Sequence, residues 1–110
     1  MNIELIGEKK YMHSILNQKG LWVLMKDNSL YTITAEEGNA VATWDSESKA
    51  IDFSHKLNEK MKSMFVPLDL FLNKWLSSTE MNITEILASP KHNVAALTYT
   101  TNEFINAAKT

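Results

Sequence analysis

The stretch Trp44–Leu76, WDSESKAIDFSHKLNEKMKSMFVPLDLFLNKWL, decides the fold because it encodes two amphipathic helices with a short apolar strand between them. Either Asp45 or Ser46 is placed to cap the first helix. Apolar residues then recur at steps of three and four positions, as expected for one buried helix face. This stripe consists of Ala50, Phe53, Leu57, Met61 and Met64.

The intervening strand is predicted at Phe65–Leu68. Pro67 indicates an edge strand or a strand end, because proline donates no hydrogen bond to a ladder. Asp69 is the predicted cap of the second helix. The residues expected to face inward from that helix are Phe71, Leu72, Trp75 and Leu76.

The segment before Trp44 predicts a helix followed by a meander of three antiparallel strands. The helix is expected over Leu5–Leu16, with Gly20 breaking it. Runs of strand-forming residues separated by polar turns define the meander. Its strands are predicted at Leu21–Met25, Leu30–Thr34 and Ala40–Trp44, with turns at Asp27–Asn28 and Glu36–Asn39.

The segment after Leu76 predicts two more strands and a short last helix. The strands are expected at Ile83–Ala88 and Val94–Tyr99 around a Ser89–Asn93 loop, and the helix runs through Ala108 from a cap at Thr101 or Asn102. The elements thus follow the order α-β-β-β-α-β-α-β-β-α. We predict an α+β fold, a single domain of residues 1–110 in which helices pack on a mainly antiparallel sheet.

The composition is that of one globular domain in a reducing compartment. The chain has 110 residues, 45% of them hydrophobic, and no cysteine, so disulfides and thiolate chemistry are excluded. Charged residues interrupt the N-terminal segment, which argues against a signal peptide, and no stretch is long enough for a transmembrane helix. We therefore expect a cytoplasmic protein that does not bind membranes.

The charge balance disfavours nucleic acid as a direct partner. Eleven basic residues, all of them lysine, oppose thirteen acidic ones for a formal charge of −2. Bidentate recognition of phosphate or guanine uses the planar guanidinium of arginine, for which lysine is a poorer substitute. The sequence also lacks the dense basic patch on which nonspecific binding depends.

Several of these segments carry aromatic and apolar motifs that follow one another in a distinctive order. Trp22 leads an apolar strand, Thr43–Ser46 enters a helix with Ala50 one turn on, and Val66–Leu68 precedes a Phe-Leu-x-x-Trp-Leu helix. This pattern resembles a family of small bacterial proteins catalogued as domain of unknown function 2750. The resemblance covers approximately residues 21–76, with Asp45 inserted between the family's Trp and Ser. It implies a fold and a bacterial source, and no activity or catalytic residues.

Chemistry-bearing residues do not form a recognisable site in the sequence. His13, His55 and His92 lack metal-ligand spacing, and adjacent Ser54 and His55 would point in different directions on a helix. The glycines are isolated, so no phosphate-binding loop exists. The Glu36–Glu37 pair is expected in a solvated turn, an environment that does not favour acid-base catalysis. We predict no catalytic residue, no metal and no cofactor.

The leading functional hypothesis is a non-catalytic domain that binds one protein partner. Its most concrete version is an immunity protein that neutralises a bacterial toxin, since acidic residues suit a basic partner such as a nuclease. The partner-binding residues predicted for it are Glu36, Glu37, Asp45, Glu47 and Asp52, expected around one end of the meander.

Two alternatives remain open. The first is a small hydrolase or transferase that uses His55 or His92 with a carboxylate, and it requires a concave pocket that holds both groups. The second is a housekeeping regulatory module, which differs from an immunity protein in its partner and its genomic position.

Overall fold

A computed structural model describes residues 3–92 and 96–109 of the chain, which form four helices and seven strands. The helices are α1 (Ile3–Gln18), α2 (Glu47–Lys56), α3 (Leu68–Leu70, continued by a π-helical turn at Phe71–Trp75) and α4 (Thr101–Ala108). The strands are β1 (Gly20–Lys26), β2 (Ser29–Leu30), β3 (Thr32–Thr34), β4 (Asn39–Thr43), β5 (Lys62–Pro67), β6 (Ile83–Ala88) and β7 (Leu97–Thr100). The α+β class and the order of elements are confirmed.

The strands form two sheets, with orders β2-β1-β5 and β3-β4-β6-β7. The predicted second strand is interrupted at Tyr31, so that β2 pairs with β1 and β3 pairs with β4. The meander therefore bends from one sheet into the other. A bridge between Trp22 and Trp44 joins the sheets, with N–H to carbonyl distances of 2.8 Å in both directions.

All pairings are antiparallel except that of β4 with β6, which is parallel. Parallel neighbours need a long crossover connection. Here the crossover consists of α2, β5 and α3, and β5 joins the other sheet on the way. Pro67 ends β5, which lies at a sheet edge, as the sequence predicts.

The core consists of two clusters on opposite faces of β1 and β4. Leu21, Val23 and Val41 belong to the larger cluster with α1 and α4, and their neighbours Leu24 and Ala42 face the smaller one. This is the period of two expected for strands covered on both sides. The smaller cluster holds Trp44 against α2, so α2 covers the face opposite to α1.

Two helix ends differ from the prediction. α1 ends at Gln18, and Lys19 makes the turn with φ 58°, so that Gly20 begins β1. α2 ends at Lys56, and Asn58 then adopts φ 59°, a left-handed conformation that asparagine tolerates. Met61 and Met64, predicted on the helical stripe, therefore follow the helix, and Met64 lies in β5.

Helix capping was only partly predicted. Ser46 caps α2, accepting a hydrogen bond of 3.4 Å from the Lys49 N–H, so one of the two candidates is correct. Asp69 does not cap α3, because the helix begins directly after Pro67 and Asp69 lies within its first turn. The turn then widens, with Leu76 N–H donating to the Phe71 carbonyl at 3.0 Å.

The cap of α4 lies one residue before the predicted positions. Thr100 Oγ1 accepts from the Glu103 N–H at 3.2 Å, and the Glu103 carboxylate accepts from the Thr100 N–H at 2.9 Å. This capping box satisfies two N-terminal donors. The limits predicted for the strand Ile83–Ala88 are confirmed by β6. The other predicted strand, Val94–Tyr99, corresponds to β7, which begins at Leu97. Positions 93–95 of the predicted loop and strand lie outside the described residues.

Candidate functional site

A surface cleft lies between α2 and the segment that follows β6. Its volume is about 220 Å³. The α2 helix contributes four residues at i, i+3, i+4 and i+7, which places them on one helix face. The lining residues are Trp44, Lys49, Asp52, Phe53, Lys56, Ser89, Pro90, Lys91 and His92.

Aromatic and apolar residues form the floor of this cleft. Trp44 is 1% exposed, Phe53 is 7% exposed, and their ring centroids lie 5.1 Å apart. The indole Nε1 of Trp44 donates to the carbonyl oxygen of buried Pro90 at 3.0 Å. Because this contact joins the two walls, the floor is fixed before any ligand binds.

Ser89 turns the chain from β6 into the cleft wall. Its φ of 48° is left-handed, a conformation that costs a non-glycine residue about 1–2 kcal/mol. Two contacts hold it there. Its N–H donates to the Thr43 carbonyl at 2.7 Å, and its Oγ donates to Asp45 Oδ1 at 3.3 Å.

Lysines dominate the rim of the cleft. Lys49 pairs with Asp45 at 2.9 Å, and Asp45 is only 8% exposed. Lys56 pairs with Asp52 at 3.3 Å, with both side chains more than half exposed. Lys91 lies exposed on the opposite wall and joins no ion pair with any described residue. Three ammonium groups thus stand near two carboxylates, which makes the rim cationic.

The structure does not bring the five predicted partner-binding carboxylates together. Glu36 and Glu37 are exposed in the turn before β4, whereas the other three follow the far end of that strand. Five residues of strand separate the two groups by about 16 Å. Asp52 lies on the cleft rim, Asp45 lies behind it, and Glu47 accepts a hydrogen bond of 2.8 Å from Ser63 Oγ.

One histidine named in the sequence enters the cleft. His92 shares the rim with Asp52, and no hydrogen bond joins His92 to a carboxylate among the described contacts. His55 and His13 are exposed on α2 and α1, outside the cleft lining. Within residues 3–92 and 96–109, no three histidine, aspartate or glutamate side chains are grouped closely enough to hold a metal ion.

Sequence reasoning missed most of the cleft. From the sequence, no functional role was assigned to Lys49 or Lys56, and Phe53 was predicted only as part of the buried stripe. One sequence feature could have indicated the cleft. Its four α2 residues, Lys49, Asp52, Phe53 and Lys56, have the i, i+3, i+4, i+7 spacing of a single helix face. The residues opposite, Pro90 and Lys91, come from a loop with no local pattern of its own.

A series of hydrogen bonds between buried polar groups lies under the cleft, on the other face of β4. Thr43 Oγ1 donates to the Leu87 carbonyl at 2.8 Å, which commits its proton. The Tyr11 hydroxyl, 2.6 Å from Thr43 Oγ1, is therefore the donor of that contact. Burial raises the pKa of Tyr11 above the usual range for tyrosine, so this group is a structural donor rather than an acid.

These features define a small α+β domain with an aromatic, lysine-rimmed cleft between a helix and a strand end. The chain belongs to the family described as Protein of unknown function (DUF2750), whose family model matches residues 9–107. The resemblance noted in the sequence is thus confirmed and extends over most of the chain. No curated protein matches the sequence. In the described part of the chain, no helix is long and apolar enough to cross a membrane.

Proposed function

We propose that this protein is a non-catalytic binding domain that holds one protein partner at the cleft between α2 and residues 89–92. The observation that carries this proposal is the fixed aromatic floor of Trp44 and Phe53 within a rim of charged side chains. An apolar pocket encircled by polar groups is the usual anatomy of an interface hot spot.

The size of the cleft supports a side chain as its occupant. Its volume of about 220 Å³ lies below the range of about 300–1,000 Å³ typical of small-molecule sites. One or two side chains of a partner would fill it. Surrounding residues of the interface would then exclude water from the floor.

The pairing of polar groups favours binding over catalysis. Asp45 is engaged by Lys49 and by Ser89 Oγ, and Asp52 is engaged by Lys56. A nucleophile and its general base must lie within hydrogen-bond reach of each other. The hydroxyl of Ser89 instead donates to the Asp45 carboxylate.

An immunity protein that neutralises a bacterial toxin is the most concrete form of this proposal. The motivation is the elimination of other chemistries, together with an exposed acidic turn at Glu36 and Glu37 that would steer a basic toxin toward the domain. A housekeeping regulatory module would use the same cleft for a partner encoded elsewhere in the genome. Gene neighbourhood separates these two versions.

Isothermal titration of the full chain against the product of the gene immediately upstream tests the immunity version, with rescue of growth from that product as the cellular readout. We expect Lys56→Glu/Lys91→Glu to weaken binding at least about tenfold, as hot-spot changes do. Lys10→Glu/Lys74→Glu is the matched control, since it also reverses two exposed lysines, at positions outside the cleft lining. Loss of binding in the control alone would show that the interface lies outside the cleft.

Absence of both binding and rescue would refute the immunity version. A pull-down from the cell extract, with the cleft variant as bait in parallel, would then test the regulatory version. A partner captured equally by the wild type and Lys56→Glu/Lys91→Glu would contradict use of the cleft.

One observation favours a second candidate, a small hydrolase or transferase. His92 and Asp52 lie on the rim of the same cleft, so an imidazole and a carboxylate are present where a substrate could enter. A panel of chromogenic esters, phosphates and glycosides tests it. Turnover that is abolished by both His92→Ala and Asp52→Asn would establish catalysis, and turnover unaffected by either change would exclude this pair.

A further inference from the structure

We infer that the cleft recognises an acidic segment of its partner, in which an apolar side chain packs on the aromatic floor and an adjacent carboxylate meets the lysine rim. This inference rests on the proposed function and adds the chemistry of the occupant. It assigns a ligand preference to the side chains that line the cleft.

The floor selects an apolar group. The Trp44 indole N–H is already committed to the Pro90 carbonyl, so the floor offers no donor from that ring. Trp44, Phe53 and Pro90 are all buried residues that reach the cleft. A polar group placed against them would lose its hydration without a hydrogen bond in return.

The rim selects negative charge. Lys49 and Lys56 lie seven residues apart on α2, which spans about 10 Å of helix, and Lys91 faces them from the other wall. Any carboxylate at the mouth of the cleft is therefore close to ammonium groups on both sides. Lysine serves here as a point charge on a flexible stem, which needs no fixed ligand geometry.

The existing ion pairs leave this rim available. The Lys56–Asp52 pair is exposed on both sides, and such pairs contribute about 0–1 kcal/mol. An incoming carboxylate can replace Asp52 at Lys56 at little cost. Lys49 is held more firmly because Asp45 is nearly buried. Lys56 and Lys91 are thus the residues expected to discriminate.

Nucleic acid fits the cleft poorly. A phosphate backbone presents a charge at every nucleotide, and proteins that bind nucleic acids make many basic contacts along it. The chain has a formal charge of −2 and no arginine, and Asp52 lies on the same rim. A single carboxylate beside one apolar side chain matches the cleft in both charge and size.

Three blocked dipeptides test the inference on the ¹⁵N-labelled full chain by NMR titration. N-acetyl-Glu-Phe-amide should shift the Trp44 indole N–H and the backbone amides of Lys49–Phe53, Ser89 and Lys91. N-acetyl-Gln-Phe-amide, which lacks the charge, should bind about fivefold more weakly, the scale of an exposed ion pair. N-acetyl-Glu-Ala-amide, which lacks the ring, should bind more weakly still.

Variants assign the charge preference to the rim. Lys56→Gln and Lys91→Gln should weaken Glu-Phe binding and leave Gln-Phe binding unchanged, whereas Asp52→Asn should strengthen Glu-Phe binding. Lys74→Gln, an exposed lysine outside the cleft lining, is the control and should change neither. Equal affinity for the Glu and Gln peptides, or shifts confined to other surfaces, would overturn the inference.

The outcomes separate this inference from the proposed function. A protein partner that depends on the cleft, together with no preference between the Glu and Gln peptides, would refute the carboxylate chemistry and leave the binding role. Binding of the Glu-Phe peptide at the cleft, with no protein partner sensitive to Lys56→Glu/Lys91→Glu, would refute the binding role and leave the chemistry.

Discussion

The indole Nε1 of Trp44 donates a hydrogen bond of 3.0 Å to the carbonyl oxygen of Pro90, across 46 positions of sequence and with both residues buried. This contact joins the end of β4 to the segment after β6. It supplies the buried Pro90 carbonyl with a donor and positions the loop wall over the aromatic floor. The cleft therefore depends on one side chain that also belongs to the core.

Replacing Trp44 with Phe should lower the free energy of unfolding by about 1–3 kcal/mol, because a buried carbonyl loses its donor. Urea unfolding followed by circular dichroism measures the change. Trp22→Phe is the control, since Trp22 is only partly buried and packs edge-on against Phe65 at 5.3 Å. A loss for Trp44→Phe no larger than for Trp22→Phe would contradict the role of this hydrogen bond.

Thr43→Val should destabilise the fold by about 1–3 kcal/mol, because the buried Tyr11 hydroxyl then lacks its acceptor. Adding Tyr11→Phe removes that orphaned hydroxyl. The double variant should thus lose less stability than the sum of the single variants, by at least about 0.5 kcal/mol. Chemical denaturation of all four proteins closes the cycle, and strict additivity would exclude the inferred donor relationship.

Alkaline pH should destabilise the wild type through Tyr11. Burial raises its pKa in the folded protein, while the unfolded chain ionises near pH 10. The stability that this shift contributes is present below about pH 10 and is lost as the pH rises beyond it.

Tyr11→Phe should accordingly show a flatter stability profile above about pH 10, with a slope smaller by up to about 1.4 kcal/mol per pH unit. Equilibrium unfolding at a series of pH values measures the slope for each protein. Subtracting the slope of Tyr11→Phe from that of the wild type cancels the contribution of the other titrating groups. Parallel profiles for the two proteins would show that Tyr11 does not ionise on unfolding.

Gly20→Ala should destabilise the junction between α1 and β1 by about 1–3 kcal/mol through overpacking. A β-carbon at Gly20 would collide with the Phe65 ring and lie 2.7 Å from the Val66 carbonyl oxygen, which belongs to the backbone and cannot rotate away. Thermal unfolding measures this loss of stability. Ser29→Ala, at an exposed strand position, controls for a generic alanine substitution, and matching melting temperatures would disprove the clash.

Thr100→Ala should cost about 1 kcal/mol, as the loss of an N-cap usually does. The hydrogen bond from the Thr100 N–H holds the pKa of Glu103 below its usual value. The stability contributed by this carboxylate is therefore present above its ordinary pKa and is lost as the pH falls. Asn102→Ala is the control, because Asn102 is exposed in the same helical turn. A larger cost at Asn102 than at Thr100 would contradict the observed cap.

Local patterns predicted the elements well and their limits less well. The strand Ile83–Ala88 was predicted residue for residue, and the helix stripe at Ala50 and Phe53 is buried as expected. The same stripe extended too far, because one left-handed asparagine, Asn58, ends α2 without breaking the apolar spacing. Periodicity records which residues are buried, and a residue in the next strand can satisfy the same spacing as one in the helix.

The candidate site was less predictable than the fold. Asp52 and His92 each carried a functional hypothesis in the sequence, and the cleft unites them although 40 positions separate them. Glu36 and Asp45 are close in sequence, yet β4 holds them apart. Sequence proximity indicates spatial proximity only within one turn of helix or across a tight turn, and an extended strand reverses that expectation.

By itself, the sequence determined that this chain forms one set of helices and strands in a fixed order, because caps, turns and apolar periods act over a few neighbouring residues. Only the tertiary structure decided that the strands divide into two sheets, that β4 pairs in parallel with β6, and that α2 and residues 89–92 enclose a cleft. These features depend on which distant surfaces bury each other, and the hydrophobic effect that drives such burial is non-directional.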